Sequence, residues 1–353
     1  MEQIDCITNF NNKKFKIYIE NIYNGLSYIL AIPEQIQDNC QMVVESYNSG
    51  NQQENSYKEN VLFALNNNYQ LKRLMQIVGS EPILIPIVPD IIGEPDDQQL
   101  SRESIIKNDI HKKFLDCIQD AKERVEKSTG KKINDRIFLN GYSASGVFAQ
   151  RFALIYPEII DRCLIGGAAG TIPILTKEIG YPIGIKDYEE LFGKKFDFEE
   201  YKKIQFGYYV AENEEREPGN YDINGDILIK KSSQIPTPMH DMSYRTPTTP
   251  KEIGIKQREL LGKSMNERYW NAIKYYKKMG ISISGIVLRF AEHNSIFNSK
   301  QTRCFEYLKN QLWQFYKYRN QLKSDAINCV DKINGYFQES RQTLRDNKEN
   351  NER

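Results

Sequence analysis

Hydrophobic residues occur along the chain in short runs, separated by turn residues or by longer stretches of helical spacing. Eight of these runs are rich in β-branched and aromatic residues, which is typical of strands. The first two flank an Asn-Gly turn and therefore predict an antiparallel hairpin. The eight predicted strands cover residues 14–20, 26–32, 41–47, 82–88, 136–140, 162–168, 204–211 and 284–291.

Apolar residues also recur at the three- and four-residue spacing of amphipathic helices. The clearest example is 101–128, and similar patterns occupy 57–78, the stretch that ends near Tyr156, and 302–341. Because most of the predicted strands alternate with helices, the sequence indicates the α/β class, with a doubly wound, mostly parallel eight-stranded sheet.

The domain organisation follows from the lengths of the connections. We expect a single α/β domain over residues 1–320. Segment 171–203 is too long for a simple crossover between two strands, so we interpret it as a small inserted lid. Residues 219–250, with four prolines after position 235, predict an irregular loop excursion. Residues 321–353 are expected to form a C-terminal helix and a frayed, charged tail.

The overall charge argues against partners that depend on a strong electrostatic field. The net charge is +1, so binding to nucleic acid or to an anionic membrane is not expected. No run approaches the roughly 18 apolar residues of a membrane span, and the first residues carry no apolar signal segment. The six cysteines include no Cys-x-x-Cys pair and predict reduced thiols in a cytoplasmic protein. Two of them, Cys117 and Cys163, are interpreted as small buried hydrophobes.

The motif that carries chemistry is Phe-Leu-Asn-Gly-Tyr-Ser-Ala-Ser-Gly over residues 138–146. It follows a predicted strand and precedes a helical pattern, which is the context of a nucleophile elbow with Ser143 as nucleophile. Gly141 supplies the small residue that the elbow needs before the serine, whereas Ser145 replaces the usual second glycine and Gly146 follows it. The amide of Ala144 is then expected at a helix N-terminus, where it favours a developing oxyanion.

A serine nucleophile needs a base, and the chain has three histidines. His293 follows the last predicted strand, as the order of serine, acid and histidine in this kind of site requires. His240 is interpreted as a loop or lid residue. His111 lies in a helical pattern beside two lysines and is interpreted as an exposed helix residue.

The acid that orients the histidine should follow the strand 204–211. Three candidates occur there, Glu212, Glu214 and Glu215, and at most one of them is catalytic, because most charges in such a run are simply solvated. We favour Glu214.

A second oxyanion donor is expected after the third strand, in a small, polar loop. The candidates are Tyr47, Asn48 and Ser49, and Tyr142 beside the nucleophile is a further candidate substrate contact.

These residues give the chain a resemblance to the α/β-hydrolase superfamily, and more narrowly to esterase-like members related to polyhydroxybutyrate depolymerase-type hydrolases. The resemblance rests on four stretches, which together span roughly residues 40–310. In such proteins a Gly-x-x-Asp tetrad commonly ends the strand that carries the acid, and its alignment here implies Glu214. The stretches are 43–50, 141–152, 181–187 with Phe192-Gly193, and 291–293.

The resemblance implies hydrolysis of a carboxylic ester through an acyl-enzyme, with no metal and no organic cofactor. The expected partner is a small-molecule ester or acyl substrate, and a homo-oligomer is possible. Two alternatives stay open. The same triad serves peptidases, amidases and acyltransferases, and a degenerate site would leave a non-catalytic binding protein of the same fold.

Overall fold

A computed structural model of the protein describes residues 2–4, 14–47, 71, 74, 75, 78–88, 102–213, 250–262 and 265–292. The chain separates into two compact units, 1–298 and 299–353, and every described residue belongs to the first. The predicted loop excursion (apart from Pro250), the C-terminal helix and tail, and all of helix 57–78 except four of its residues lie outside the described residues.

The described residues form one nine-stranded sheet in the order β1-β2-β3-β5-β4-β6-β7-β8-β9. All eight predicted strands are present, and a three-residue strand, β1, joins them at one edge. The strands are β1 (Glu2–Ile4), β2 (Phe15–Tyr23), β3 (Leu26–Pro33), β4 (Val43–Val44), β5 (Ile83–Ile87), β6 (Ile137–Tyr142), β7 (Ile160–Gly166), β8 (Gln205–Asn213) and β9 (Ile283–Glu292).

The direction of the strands confirms the predicted mixture of one hairpin and a parallel body. Strands β1, β2, β3 and β5 pair antiparallel in that order, and every pairing from β5 across to β9 is parallel. The hairpin turns at Asn24 and Gly25, which both have positive φ (48° and 86°), as a tight two-residue turn requires. The prediction of a doubly wound, mostly parallel α/β sheet is therefore confirmed.

Seven α-helices with defined bounds lie within the described residues and connect or flank these strands. Helix α3 packs against β6 and β7, α2 against β3 and β5, and α7 against β9. The helices are α1 (Arg102–Lys107), α2 (Ile110–Thr129), α3 (Ala144–Ile155), α4 (Tyr188–Phe192), α5 (Phe198–Lys203), α6 (Lys251–Leu261) and α7 (Met265–Lys278).

Two elements differ from the sequence prediction. The predicted helix 101–128 is two helices, α1 and α2, because Asp109 adopts a left-handed conformation (φ 51°) between them. Aspartate tolerates that conformation better than most residues. Strand β4 has only two paired residues instead of the predicted seven, although its neighbours on both sides hold it in the middle of the sheet.

The inserted segment 171–203 carries α4 and α5, and its inner part packs into the core. Tyr181 is fully buried, and its carbonyl accepts a hydrogen bond of 2.8 Å from Arg102 Nε. The same arginine forms an ion pair of 3.0 Å with Asp187, which also accepts a hydrogen bond from the amide of Tyr181. The role of the segment as a lid stays a prediction.

Two cysteines fill the interior, as predicted. Cys117 in α2 and Cys163 in β7 are both buried, and burial raises the pKa of the Cys117 thiol to about 12. Such a thiol packs as a small apolar side chain. Across the helices that the structure describes, none combines the length and the apolar character that a membrane crossing would need.

Candidate active site

The chain turns sharply where β6 leaves the sheet. Strand β6 ends at Tyr142 and helix α3 begins at Ala144, so that Ser143 alone makes the connection. Its backbone lies at φ 58° and ψ −121°, a conformation that costs free energy in any residue with a side chain. Ser143 is half-buried. This strained strand-to-helix turn is the geometry of a nucleophile elbow, and with the sheet described above it confirms the α/β-hydrolase fold.

Two glycines make the turn possible. A Cβ atom on Gly141 would lie 2.4 Å from the carbonyl oxygen of Ser145, in the first turn of α3. A Cβ atom on Gly146 would lie 2.9 Å from the carbonyl oxygen of Gly166 at the end of β7. Both distances are shorter than a real Cβ contact, so the turn and the close approach of α3 to β7 both require glycine at these positions.

Ser145 fits the place of the missing second glycine because its hydroxyl bonds to the turn itself. The hydroxyl accepts a hydrogen bond of 2.8 Å from the amide of Tyr142 and donates one of 2.9 Å to the carbonyl of the same residue. The side chain is fully buried. The glycine that close packing against β7 needs stands one position later than in the usual motif, at Gly146.

The end of β7 holds the elbow in place. The amide of Ser143 donates a hydrogen bond of 2.9 Å to the carbonyl of Gly166. The Tyr209 ring of β8 lies against Gly166, where a Cβ atom would be 2.0 Å from the ring. It also stacks on Tyr142, with ring centroids 5.8 Å apart and planes inclined by 21°. Tyr142 is only 2% exposed, so its ring packs inside the protein beneath the elbow. Its contact with a substrate stays a prediction.

Ala144 occupies the first position of α3. The first amides of a helix have no acceptor within the helix, and the helix dipole adds partial positive charge at the same end. The amide of Ala144 therefore stands beside Ser143 at a point that favours negative charge. Its role as an oxyanion donor stays a prediction.

The loop after β4 supplies the other predicted oxyanion residues. The amide of Tyr47 donates a hydrogen bond of 2.9 Å to the carbonyl of Pro86, so this amide serves the sheet and is not available to an oxyanion. Partial burial raises the pKa of the Tyr47 phenol to about 12. Asn48 and Ser49 lie outside the described residues, and a second donor from this loop would come from them or from Gly50.

The predicted acid and base lie outside the described residues, but the strands that lead to them are described. Strands β8 and β9 run parallel as neighbours, and their last paired residues are Asn213 and Glu292. In the sequence, Glu214 directly follows Asn213 and His293 directly follows Glu292. Of the competing acids, Glu212 is described only in its backbone, within β8, and Glu215 lies outside the described residues.

His111 is buried, so the prediction of an exposed helix residue is wrong. It is 6% exposed, its Nδ1 lies 2.9 Å from the hydroxyl of Tyr156, and its ring meets Phe192 edge-on at 5.5 Å. Burial lowers the pKa of His111 to about 4. The sequence places His111 correctly on a helix, but the residues that cover it come from distant parts of the chain.

One buried polar pair near the elbow was missed by the sequence reasoning. Glu45, just after β4, is fully buried, and Asn140 in β6 is 4% exposed. The side-chain amide of Asn140 donates a hydrogen bond to Glu45 Oε2. The available signal was a carboxyl group inside the apolar run 41–47. In the part of the chain that the structure describes, His, Cys, Asp and Glu side chains form no group of three or more that could hold a metal ion.

No model of a known protein family matches the chain, and no curated protein sequence matches it. Several solved structures are similar to it. Poly(aspartic acid) hydrolase-1 from Sphingomonas sp. KT-1 is 15% identical with a TM-score of 0.46, over 83% of this chain and 98% of that one. An S-formylglutathione hydrolase from Agrobacterium tumefaciens is 10% identical with a TM-score of 0.43, over 88% and 98%. A poly(3-hydroxybutyrate) depolymerase from Bordetella parapertussis is 12% identical with a TM-score of 0.42, over 86% and 88%.

Proposed function

We propose that the protein is a serine hydrolase that cleaves a carboxylic ester through a covalent acyl-enzyme on Ser143. The observation that carries this proposal is the strained conformation of Ser143 between β6 and α3. A serine without a chemical role has no reason to occupy a conformation that glycine would adopt at lower cost. The elbow holds the hydroxyl at the carboxyl end of the parallel strands, where ligands bind in open α/β sheets.

The proposed reaction has two halves. The Ser143 oxygen attacks the carbonyl carbon of the ester while its proton passes to His293. His293 then gives that proton to the departing alkoxide as the carbon–oxygen bond breaks, and an alcohol leaves. In the second half, a water molecule gives a proton to His293 and adds to the acyl carbon. The bond to the Ser143 oxygen then breaks, His293 returns the proton to that oxygen, and the acid is released.

The oxyanion that forms in each half is stabilised by two amides in this proposal. One is the amide of Ala144, at the start of α3. The other comes from Asn48 or its neighbours after β4. Losing one such donor typically costs about 3 kcal/mol of transition-state stabilisation.

The assignment of His293 and Glu214 is supported by the pairing of β8 with β9. Because Asn213 and Glu292 are register partners on neighbouring parallel strands, we expect the residues that follow them in the sequence to lie near each other. Glu214 would hold the tautomer of the imidazole and stabilise the imidazolium.

The proposed substrate is a small-molecule ester or acyl compound, and the chemistry needs no metal or organic cofactor. Segment 171–203 would shape the pocket for the acyl or alcohol group. The cysteines without a close sequence partner fit a reducing compartment, which we take to be the cytoplasm.

A fluorophosphonate probe tests the proposal because it reacts only with an activated serine. We expect one adduct per chain, on Ser143, and no adduct in Ser143→Ala. Ser145→Ala is the matched control: it removes a neighbouring hydroxyl that bonds to the backbone of Tyr142, so it should lower stability and keep the adduct. An adduct on Ser145 would overturn the assignment of the nucleophile. No adduct on the folded protein would overturn the proposed function and leave a binding protein of the same fold.

Comparing the hydrolysis of a short-chain aryl ester with that of the matching anilide then separates an esterase from an amidase.

A further inference from the structure

A short stretch of chain, residues 167–171, connects the end of β7 to the inserted segment. It leaves the sheet at the carboxyl end of β7, the strand next to the one that leads into the elbow. Its regular structure is a single 3₁₀ turn (Ala169–Thr171), which pairs few of the backbone carbonyls. Carbonyls inside a protein need hydrogen-bond donors, and two glutamine side chains donate to this stretch, one from α3 and one from α6.

Gln150 is the glutamine of α3. Its Nε2 donates a hydrogen bond of 2.8 Å to the carbonyl of Ala168 and one of 3.2 Å to the hydroxyl of Thr171. The side chain is only 1% exposed, so water does not compete for these bonds. Because a backbone carbonyl can only accept, the bond to Ala168 also fixes which end of the glutamine amide faces the stretch.

Stability alone does not account for a glutamine at this position. The Ala168 carbonyl also accepts a hydrogen bond of 3.1 Å from the hydroxyl of Thr171, so it would stay paired without Gln150. The Oε1 atom of Gln150 is buried and has no hydrogen-bond partner among the residues that the structure describes. A buried acceptor without a partner costs free energy, which a methionine of similar shape would avoid.

The side of α3 that carries Gln150 lies against the end of β7. Gln150 follows Gly146 by four residues, so both lie on one side of the helix. A Cβ atom on Gly146 would lie 2.9 Å from the carbonyl oxygen of Gly166 and 3.1 Å from the Cβ atom of Ala168. The close contact at Gly146 and the hydrogen bonds of Gln150 therefore hold the same side of α3 to the same part of the chain.

We propose that Gln150 is a positioning residue that keeps α3 against the end of β7 and thereby holds Ser143 in its strained conformation. A strained backbone persists only where its surroundings fix it, and α3 begins directly after Ser143. A shift of α3 away from β7 would be taken up at Ser143 and would move its hydroxyl out of line for attack. The proposal rests on the proposed function, because it needs Ser143 to be the nucleophile.

Gln257 provides a matched control. Its Nε2 donates a hydrogen bond of 2.7 Å to the carbonyl of Gly170, and its side chain is 5% exposed. It therefore makes the same kind of buried bond to the same stretch, but from α6, which does not carry the nucleophile. The loss of either glutamine should lower the melting temperature, whereas only the loss of Gln150 should loosen α3.

The test compares Gln150→Met with Gln257→Met, well below the melting temperature of each variant. The measurements are kcat and KM for a short-chain aryl ester and the rate at which a fluorophosphonate labels Ser143. We expect Gln150→Met to lower both kcat and the labelling rate about 10-fold, with KM changed less than about threefold, because the position of the hydroxyl affects attack more than binding. Gln257→Met should keep both rates within about twofold of those of the natural protein.

Thr171 offers a second test that leaves Gln150 in place. Thr171→Val removes the hydroxyl that accepts from Gln150, and we expect it to lower kcat and the labelling rate about threefold. Thr171→Ser keeps the hydroxyl and should recover most of that loss. If Gln150→Met does not fold, this pair decides the question: equal rates in the two Thr171 variants would overturn the proposal.

The outcomes separate this proposal from the proposed function. If Ser143 of the natural protein is not labelled, the proposed function fails and the role of Gln150 fails with it. If Ser143 is labelled but Gln150→Met keeps both rates, the function stands and the positioning role is overturned. Equal losses in Gln150→Met and Gln257→Met would also overturn it, because the effect would then come from the stretch 167–171 and not from the hold on α3.

Discussion

The two ends of helix α3 differ in the conformation of the backbone and in the exposure of the polar side chains beside it. At the first end, Ser143 is strained and half-buried, and the elbow around it requires glycine at two positions. At the last end, the backbone ends in an ordinary way, with the amide of Tyr156 donating a hydrogen bond of 2.9 Å to the carbonyl of Phe152.

A histidine of α2, His111, nevertheless packs against the last end of α3, and histidine is the residue type most often used as a base. His111 is covered by Tyr156 and Phe192, and Asp109 Oδ1 lies 3.8 Å from its Nε2. Lys194 lies 4.6 Å above the centre of the Tyr156 ring. Burial holds the pKa of His111 near 4, so it is neutral at pH 7 and serves packing. We expect a reactive group to be accessible and held in a strained conformation. Of the two, Ser143 at the first end of α3 fits that description and the buried His111 does not.

The largest effect expected from this comparison concerns the two histidines. His293→Ala should lower kcat for a short-chain aryl ester by about 10⁴-fold or more, because the proton acceptor is lost. His111→Ala should keep kcat within a few-fold while it lowers the melting temperature, because it leaves a cavity between α2, Tyr156 and Phe192. Steady-state kinetics and circular dichroism melting on both variants provide the measurement. Similar losses of kcat in two folded variants would mean that His293 is not the base.

A smaller effect is expected on the free energy of unfolding, which compares the tight packing at the elbow with that at an ordinary helix end. Gly141→Ala should cost about 2–4 kcal/mol of unfolding free energy, because its Cβ would collide with the Ser145 carbonyl. Gly193 follows α4 with φ 64° and has no atom within 4 Å of a built Cβ, so Gly193→Ala should cost only about 1 kcal/mol. Urea unfolding of the two variants gives both values. Equal losses would show that the elbow is not packed more tightly than a common helix end.

The smallest expected effect is a dependence of the protein's stability on pH, caused by His111 at the last end of α3. The pKa of His111 is about 4 in the folded protein and 6.5 ordinarily, so the unfolded chain binds more protons between these values. The stability from neutral His111 is fully present above pH 6.5 and is lost as the pH falls towards 4, by about 1–3 kcal/mol.

His111→Gln isolates this contribution, because glutamine does not titrate. Urea unfolding at pH 7, 6, 5 and 4.5 should show the natural protein losing its advantage over the variant as the pH falls. A constant difference between the two proteins across this range would contradict the assignment.

Periodicity was enough to predict most of the sheet. Strand β5 is a continuous apolar run, and β3 is apolar except for Ser27; both are buried along their whole length, as such runs predict. The elbow was also predictable, because its strand, its serine and its glycines are neighbours in the chain. The extent of β4 was not, because pairing on both sides depends on where β5 and β6 lie and not on the run 41–47 itself.

What escaped prediction depends on contacts between distant residues. Nothing near His111 indicates that Tyr156 and Phe192 will cover it. The run around Glu45 likewise contains no sign of its partner 95 residues later. The choice among Glu212, Glu214 and Glu215 stays a prediction for a related reason. The three glutamates lie within four residues at the end of β8 and beyond it, and only the position of the histidine could separate them.

The central place of β4 also affects how the chain folds. Strand β4 is made early but completes its pairing only with β6, and closing a loop of 95 residues costs about 4 kcal/mol of chain entropy before any contact offsets it. Until then one side of β4 exposes unpaired backbone groups and apolar side chains, which is the condition that invites aggregation and chaperone binding. During synthesis the elbow that carries Ser143 therefore cannot form until β6 has emerged, so that this part of the sheet is assembled after its flanking hairpin.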